Sequence, residues 1–334
     1  MTDPIKRRIP VMLCRILLIF LAATSTLPTR MALSSETVTI ALTAKPFQYT
    51  PLVIAQERGY MKEEGIDLKI TYMQAGPSLQ AVMAGSAHFS GAGSSALVGI
   101  SKGSAPMKTV LALNDQVLQW VVARPNIANI NDLKGKKVAT AGVASLGAFM
   151  LKQIISTKYG MDSKDIVLID PGPLNRLPSL LSGAADAAIV SPEERYAALD
   201  QGMKEFMYLG KELKNSWGTI ATSDRLIKEQ PKLMLGFARA VIKGMRYYRQ
   251  ERDGAIAATV KFTEFDRPLV TRMYDDLVKT FTAGAHVDEE TQKNDLAIVK
   301  LVAEVTEVVP NSKAYDFSFA RQAEAQLNKQ GWKP

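Results

Sequence analysis

The chain has 334 residues, of which 47% are hydrophobic and 22% charged, and a formal net charge of +8. That length suits about two domains, and the composition is ordinary for a soluble globular protein. No stripe of Lys and Arg accompanies the positive charge, so nucleic-acid binding has no support.

The N-terminus reads as a segment apart from the fold. Lys6, Arg7 and Arg8 form a basic start, ILLIFLAA at 16–23 is an apolar run, and Ala32, Leu33 and Ser34 make a small-x-small cleavage site. The apolar run is too short to span a bilayer, which points to a secretory signal peptide over 1–34 rather than an uncleaved anchor. Cleavage after Ser34 removes Cys14, the one cysteine, and five of the 41 basic and one of the 33 acidic residues. The mature chain then holds 36 basic and 32 acidic residues, a net charge of +4, with no disulfide and no thiolate chemistry. Its expected location is the periplasm.

Residues 38–43 read as a strand buried on both faces, and 44–49 as a loop. Thr50 is an expected N-cap with Pro51 at the first helical position, and Gly59 ends the helix. Gly65 opens a second strand over 66–72, so 38–72 is one βαβ unit and implies a parallel sheet. Ligands sit at the carboxyl ends of such strands, which places 45–49 at a ligand site. A short helix at 78–84, a strand at 88–92, a helix opening at Ser94 and Ser95, and strands at 108–113 and 119–123 follow, the last crossing between lobes. The second half repeats the order. It has a strand at 137–141, a helix from 147 to about 158, strands at 165–169 and 186–190 around a short helix, a strand at 205–209, and a return crossing at 217–222. Three amphipathic helices are expected at 231–248, 268–281 and 288–305.

The repetition is visible in the residues. Leu79, Gly85 and Ala87 fall on Leu177, Gly183 and Ala185 at an offset of 98, which also lays Ile40 and Ala41 on Val138 and Ala139. Gly76 and Pro77 fall on Gly172 and Pro173 at an offset of 96, so the second copy carries two extra residues near Arg176. The pattern predicts two α/β lobes of like plan: 35–123 as the first part of lobe one, 124–217 as lobe two, and 218–334 as a return to lobe one with C-terminal helices.

Three motifs carry a resemblance. They are Tyr49, Thr50, Pro51, Leu52 and Ala55 followed by GYMKEEGID at 59–67; DLKGKKV at 132–138; and LSGAADA at 181–187. In that order they resemble the periplasmic substrate-binding proteins of ABC importers for nitrate, sulfonate and taurine, with the thiamine-pyrimidine-precursor branch. The resemblance implies a type II periplasmic binding fold: two α/β lobes, a two-strand hinge, and a ligand cleft between them that closes by hinge motion. It implies a monomer that carries a small-molecule solute to an ABC permease in the inner membrane, with no cofactor. Fungal pyrimidine synthases of the same fold carry a cysteine-rich motif that this chain lacks, so an enzyme is not expected. A pyrimidine-metabolism enzyme and a periplasmic sensor subunit are the alternatives.

The repeat pairs loops across the cleft. Lobe one offers Phe47, Gln48, Tyr49, Gly76, Pro77, Ser78, Ser94 and Ser95; lobe two offers Ser145, Leu146, Gly147, Asn175, Arg176, Ser191 and Glu193. Several open helices, where free N–H groups favour an anion. Each serine is either a ligand contact or a plain N-cap. Phe47 and Tyr49 either stack on a flat ligand or pack under their loop, and Trp217 either closes the cleft floor or joins the core. Arg176 either grips a carboxylate or sulfonate with two hydrogen bonds or is a solvated helix start. Glu193 either caps its helix or faces the cleft, where it would suit a ligand with N–H donors and oppose a simple anion. His88 and His286, the two histidines, lack metal-ligand spacing, so no metal is expected, and no nucleophile elbow, P-loop or dinucleotide fingerprint occurs.

Overall fold

The computed structural model describes residues 35–143, 145–172 and 174–334. The signal peptide, its cleavage site and Cys14 lie outside them. The first half runs β1 (Glu36–Leu42), α1 (Thr50–Glu57), α2 (Tyr60–Glu63), β2 (Ile66–Tyr72), α3 (Ala75–Ala84), β3 (Phe89–Ser90), α4 (Gly93–Ser101) and β4 (Met107–Asn114). Then come β5 (Trp120–Ala123), β6 (Lys137–Ala139), α5 (Leu146–Tyr159), β7 (Val167–Ile169), α6 (Arg176–Ser182), β8 (Ala187–Val190), α7 (Pro192–Asp200), β9 (Lys204–Tyr208) and α8 (Leu209–Glu212). The chain returns through β10 (Trp217–Ser223) and ends in α9 (Asp224–Glu229), α10 (Pro231–Gln250), α11 (Arg252–Thr263), α12 (Arg267–Leu277), α13 (Glu289–Ala303), α14 (Asn311–Ala314) and α15 (Ser318–Lys329).

The strands form two five-stranded sheets, ordered β2-β1-β3-β10-β4 and β7-β6-β8-β5-β9. The two orders are the same plan. Each has three parallel strands, then an antiparallel fourth strand and a fifth pairing with it. The repeat is visible in register. Ile40 and Ala41 face Phe89 and Ser90 in the first sheet, and Val138 and Ala139 face Ala187 and Ala188 in the second, each pair at the offset of 98. The fourth strand of each sheet comes from the other half of the sequence. The expected crossing at 119–123 is therefore not the end of lobe one: β5 is an interior strand of the second sheet, between β8 and β9. Its four residues are all buried, as an interior strand requires.

Local chemistry moves other boundaries. Phe47–Tyr49 is a 3-10 turn rather than a loop, because the Thr50 hydroxyl donates back to the Phe47 carbonyl at 2.9 Å. Thr50 is the first residue of α1, not its cap. Helix α3 starts at Ala75, so Gly76, Pro77 and Ser78 are its first turn, where proline's fixed φ and missing N–H are tolerated. Helices α11 and α15 were not expected from sequence.

Phe89 stacks on Phe237 of α10 with ring centroids 3.9 Å apart, pinning this long helix over the first sheet. Helix α10 also lies close on α1: a Cβ at Gly244 would stand 2.1 Å from the Pro51 carbonyl oxygen. The second sheet has its own apolar cluster, with Val121, Val138, Leu151, Ile155 and Ile189 at its centre and Ile298 of α13 joining it. Helix α13 also carries the buried Asp295. It accepts from Asn215 Nδ2 (2.9 Å), Ser216 N (2.9 Å), Tyr315 Oη (2.9 Å) and the Ser216 hydroxyl, fixing the segment that enters β10. Burial pushes the Asp295 carboxyl above its ordinary value despite these four donors.

Candidate functional site

A cavity of about 390 Å³ opens where the two sheets present their strand ends. Its walls are Ala44 to Gln48, after the carboxyl end of β1; Arg176 at the start of α6; and Ser191, Pro192 and Glu193, after the carboxyl end of β8. Leu118 and Gln119 lead into β5 and Trp217 opens β10, so both chain crossings contribute. Thr263 and Phe265 close it from the end of α11. This is the place where open α/β sheets hold ligands, and the volume suits a small organic molecule.

Two of the three charged residues in the wall, Lys45 and Arg176, are paired with carboxylates outside it. Arg176 donates from Nη2 to Glu194 Oε2 at 2.7 Å and from Nη1 to the Ile189 carbonyl at 3.2 Å. Glu194 also accepts from the Ser191 backbone N–H (3.0 Å) and hydroxyl (2.9 Å), completing the capping box of α7. Nη1 and Nη2 of the guanidinium are thus engaged inside the protein, while its Nε is buried with no hydrogen-bond partner among the described residues. Lys45 ion-pairs with the exposed Glu264, and the hydrogen bond raises the Lys45 pKa and lowers that of Glu264. Glu193 has no hydrogen bond or ion pair among the described residues. Since Glu194 carries the cap, Glu193 is left as a carboxylate on the cavity wall.

Aromatic groups complete the walls. Phe47 is 3% exposed and packs edge-on to Tyr248 at 5.8 Å, so most of its ring belongs to the core and only part reaches the cavity. Trp217 is half-buried and touches the apolar clusters of both sheets. It also lines a second cavity of about 190 Å³ with Tyr49, Ser94 and Ser95. Tyr49 is held there by hydrogen bonds from its hydroxyl to the carbonyls of Gly91 (2.7 Å) and Thr219 (3.0 Å), and burial pushes its phenol well above the ordinary value.

The main cavity therefore gathers Phe47, Gln48, Arg176, Ser191, Glu193 and Trp217 of the residues singled out from sequence, and the smaller one gathers Tyr49, Ser94, Ser95 and again Trp217. The others line neither. Gly76 and Pro77 are exposed on α3, and Ser78 is buried with its hydroxyl 2.6 Å from that of Ser90. Ser145 caps α5 through the Ala148 N–H, with Leu146 and Gly147 in the turn it caps. Asn175 donates to the Pro171 carbonyl at 3.0 Å, stiffening its own loop. Residues not singled out are Ala44, Leu118, Gln119, Pro192, Thr263 and Phe265. Pro192 and Gln119 flank elements the sequence does reveal, whereas Thr263 and Phe265 depend on α11. Among the described residues no cluster of three His, Cys, Asp or Glu could hold a metal ion.

Comparison with known proteins bears on the family and the fold. The riboflavin-binding protein RibY of Chloroflexus aurantiacus is 25% identical over 236 residues, 68% of this chain and 66% of that protein, so the match spans a little under two thirds of the relative. The periplasmic aliphatic sulphonate binding protein SsuA of Escherichia coli superposes with a TM-score of 0.70 at 18% identity, over 85% of this chain and 92% of that one. The desulfurization enzyme DSZB does so with a TM-score of 0.65 at 13% identity, over 88% and 99%. At such identities the two structures speak for the fold alone, and a fold shared by a binding protein and an enzyme does not choose between them. A family model described as NMT1/THI5 like matches residues 46–255, more than half of the chain. The chain belongs to the NMT1/THI5-like family and has the two-sheet fold of the periplasmic substrate-binding proteins.

Proposed function

We propose that this chain is an extracytoplasmic solute-binding protein that delivers a small organic solute to an ABC-type importer. Two lobes, one on each sheet, close on the solute by bending at the two crossings before β5 and β10. The observation that carries the reading is the cavity wall itself, where Glu193 has no partner among the described residues while Lys45 and Arg176 each pair with a carboxylate outside the wall. Such a wall opposes a bare inorganic anion. It favours a ligand with N–H donors and a flat apolar body set against Trp217 and Phe265. The likeness to a riboflavin-binding protein agrees with that chemistry. The chain acts in the periplasm as a monomer, and its partner is the permease.

A thermal-shift screen of ring amides, amines, sulfonates and nitrate tests the reading, because a ligand that binds only the folded state raises the melting temperature. A donor-bearing organic solute is expected to shift it, and Glu193→Gln to weaken that solute by about tenfold, the usual size for a charged hydrogen bond. Binding of nitrate alone, or tighter binding by Glu193→Gln, would sink it.

A further inference from the structure

Helix α7 belongs to the lobe of the second sheet and begins on the cavity wall with Pro192 and Glu193. A turn further along it meets α12, which is tied to the first lobe. Tyr274 of α12 donates to the Tyr248 carbonyl of α10 at 2.9 Å, and Asp275 accepts from Arg252 of α11 at Nε (2.9 Å) and Nη2 (2.7 Å). The next residue, Asp276, serves the other lobe. It accepts from Arg195 Nη1 at 2.9 Å and from the Tyr196 hydroxyl, both on α7. Successive helix residues point about 100° apart, so Asp275 and Asp276 can face different lobes. Arg272, a turn earlier on α12, donates from Nη1 to Asp200 Oδ2 at 2.8 Å. The Arg195 side chain, 14% exposed, thus has a carboxylate from each lobe: Asp276, and Glu205 of β9 at 2.6 Å from Nε. Its guanidinium also stands 5.1 Å from the ring of Trp120, the first residue of β5, where one crossing ends.

We propose that the seam between α7 and α12 is a clasp between the lobes, and that Asp276 is a positioning residue in it. Acting through Arg195 and Tyr196, it holds the wall around Glu193 against the first lobe and biases the protein toward its closed form. This rests on the solute-binding reading above, in which the lobes close on their ligand. The lobes also meet where Ile298 of α13 joins the apolar cluster of the second sheet, and parting that contact would expose apolar surface. The α7–α12 seam costs less to part, because the side chains of Asp276, Arg272 and Asp200 are already about half exposed and water takes them up at once. A lone surface ion pair contributes little, but here one guanidinium joins two carboxylates and lies over the rings of Trp120 and Tyr196. Affinity for a ligand that needs the closed form scales with the population of that form, so the clasp raises affinity without touching the ligand.

The test compares the mature chain with Asp276→Ala, Asp276→Asn and Asp275→Ala. Asp276→Asn removes the charge but keeps an acceptor for Tyr196. Asp275→Ala cuts an ion pair of the same helix that stays within the first lobe. Small-angle scattering of the unliganded proteins reads the lobes without any ligand. Both Asp276 variants are expected to show a larger radius of gyration than the wild type, and Asp275→Ala the wild-type value. Calorimetry with riboflavin, uracil, taurine and nitrate is expected to show about fivefold weaker binding, in both Asp276 variants, of whichever probe the wild type binds. Asp275→Ala should keep the wild-type affinity. A purely structural seam lowers the melting temperature of its variants and leaves radius and affinity alone. Three results overturn the clasp: an unchanged radius in both Asp276 variants, the same expansion in Asp275→Ala, or affinity for a bound probe within about twofold of wild type. If the wild type binds none of the probes, that counts against the solute-binding reading, and the scattering still decides the clasp.

Discussion

The buried Asp295 is the most exposed point of the account to a stability measurement. Asp295→Ala removes one acceptor group and strands four donors at once: Asn215 Nδ2, the Ser216 N–H, the Ser216 hydroxyl and the Tyr315 hydroxyl. Asp295 and Asn215 are buried, at 5% and 0% exposure, so water replaces little of what is lost. Against this stands a gain, because the carboxylate no longer has to be kept out of water, the same cost that raises its pKa. Each neutral donor left unsatisfied in the interior costs about 1–3 kcal/mol, so a net loss of about 3 kcal/mol or more remains after that gain. For a chain of this size that is a fall in melting temperature of roughly 2 °C for each kcal/mol. Urea denaturation followed by far-UV circular dichroism, with calorimetric melting, reads both. Tyr315→Phe alone should cost about 1 kcal/mol and add almost nothing in the Asp295→Ala background, since the two share one hydrogen bond. A loss below about 1 kcal/mol in Asp295→Ala, or full additivity with Tyr315→Phe, would refute the idea that this carboxylate fixes the entry into β10.

Other consequences follow from single contacts. Gly244→Ala should destabilise the protein by roughly 1–3 kcal/mol by denaturation, because the new Cβ meets the Pro51 carbonyl; in an open helix the same change stabilises. Ser78→Ala should leave ligand affinity unchanged and cost about 1 kcal/mol of stability, as its hydroxyl serves Ser90 and not the cavity. His88 accepts from the Thr39 N–H at Nδ1, and burial lowers its pKa from 6.5. Its folded value lies below its unfolded one, so the unfolded chain binds more protons between the two. The contribution of neutral His88 is therefore complete above 6.5 and is lost as the pH falls through that window. His88→Gln should flatten this part of the stability–pH curve, and an unchanged slope would count against it.

Much of this arrangement is legible in the residues. The offset of 98 between Ile40 and Val138 foretells two sheets of one plan, because the same small and apolar residues are needed wherever a parallel strand meets the same neighbours. Ser191 and Glu194 have the spacing of a capping box, but that Glu193 then lines the cavity is visible only in the fold. What is not legible depends on distance. The partner of Arg176 is 18 residues away on another helix. Helix α15 buries Ala320, Ala323 and Leu327 on one face, a pattern as amphipathic as that of α12, so it too is legible in the residues. Helix α11 has no clean apolar face, so the wall it gives the cavity is visible only once the chain is folded.

If the cavity between the two sheets holds the solute, Trp217 reports on it directly. The sequence has three tryptophans, and replacing Trp120 and Trp332 by Phe leaves Trp217 as the single indole, on the wall of that cavity. Titrating this variant with the solute found by screening should give a saturable change in emission with the same Kd as calorimetry. Calorimetric binding with no change in Trp217 emission would put the ligand outside this cavity.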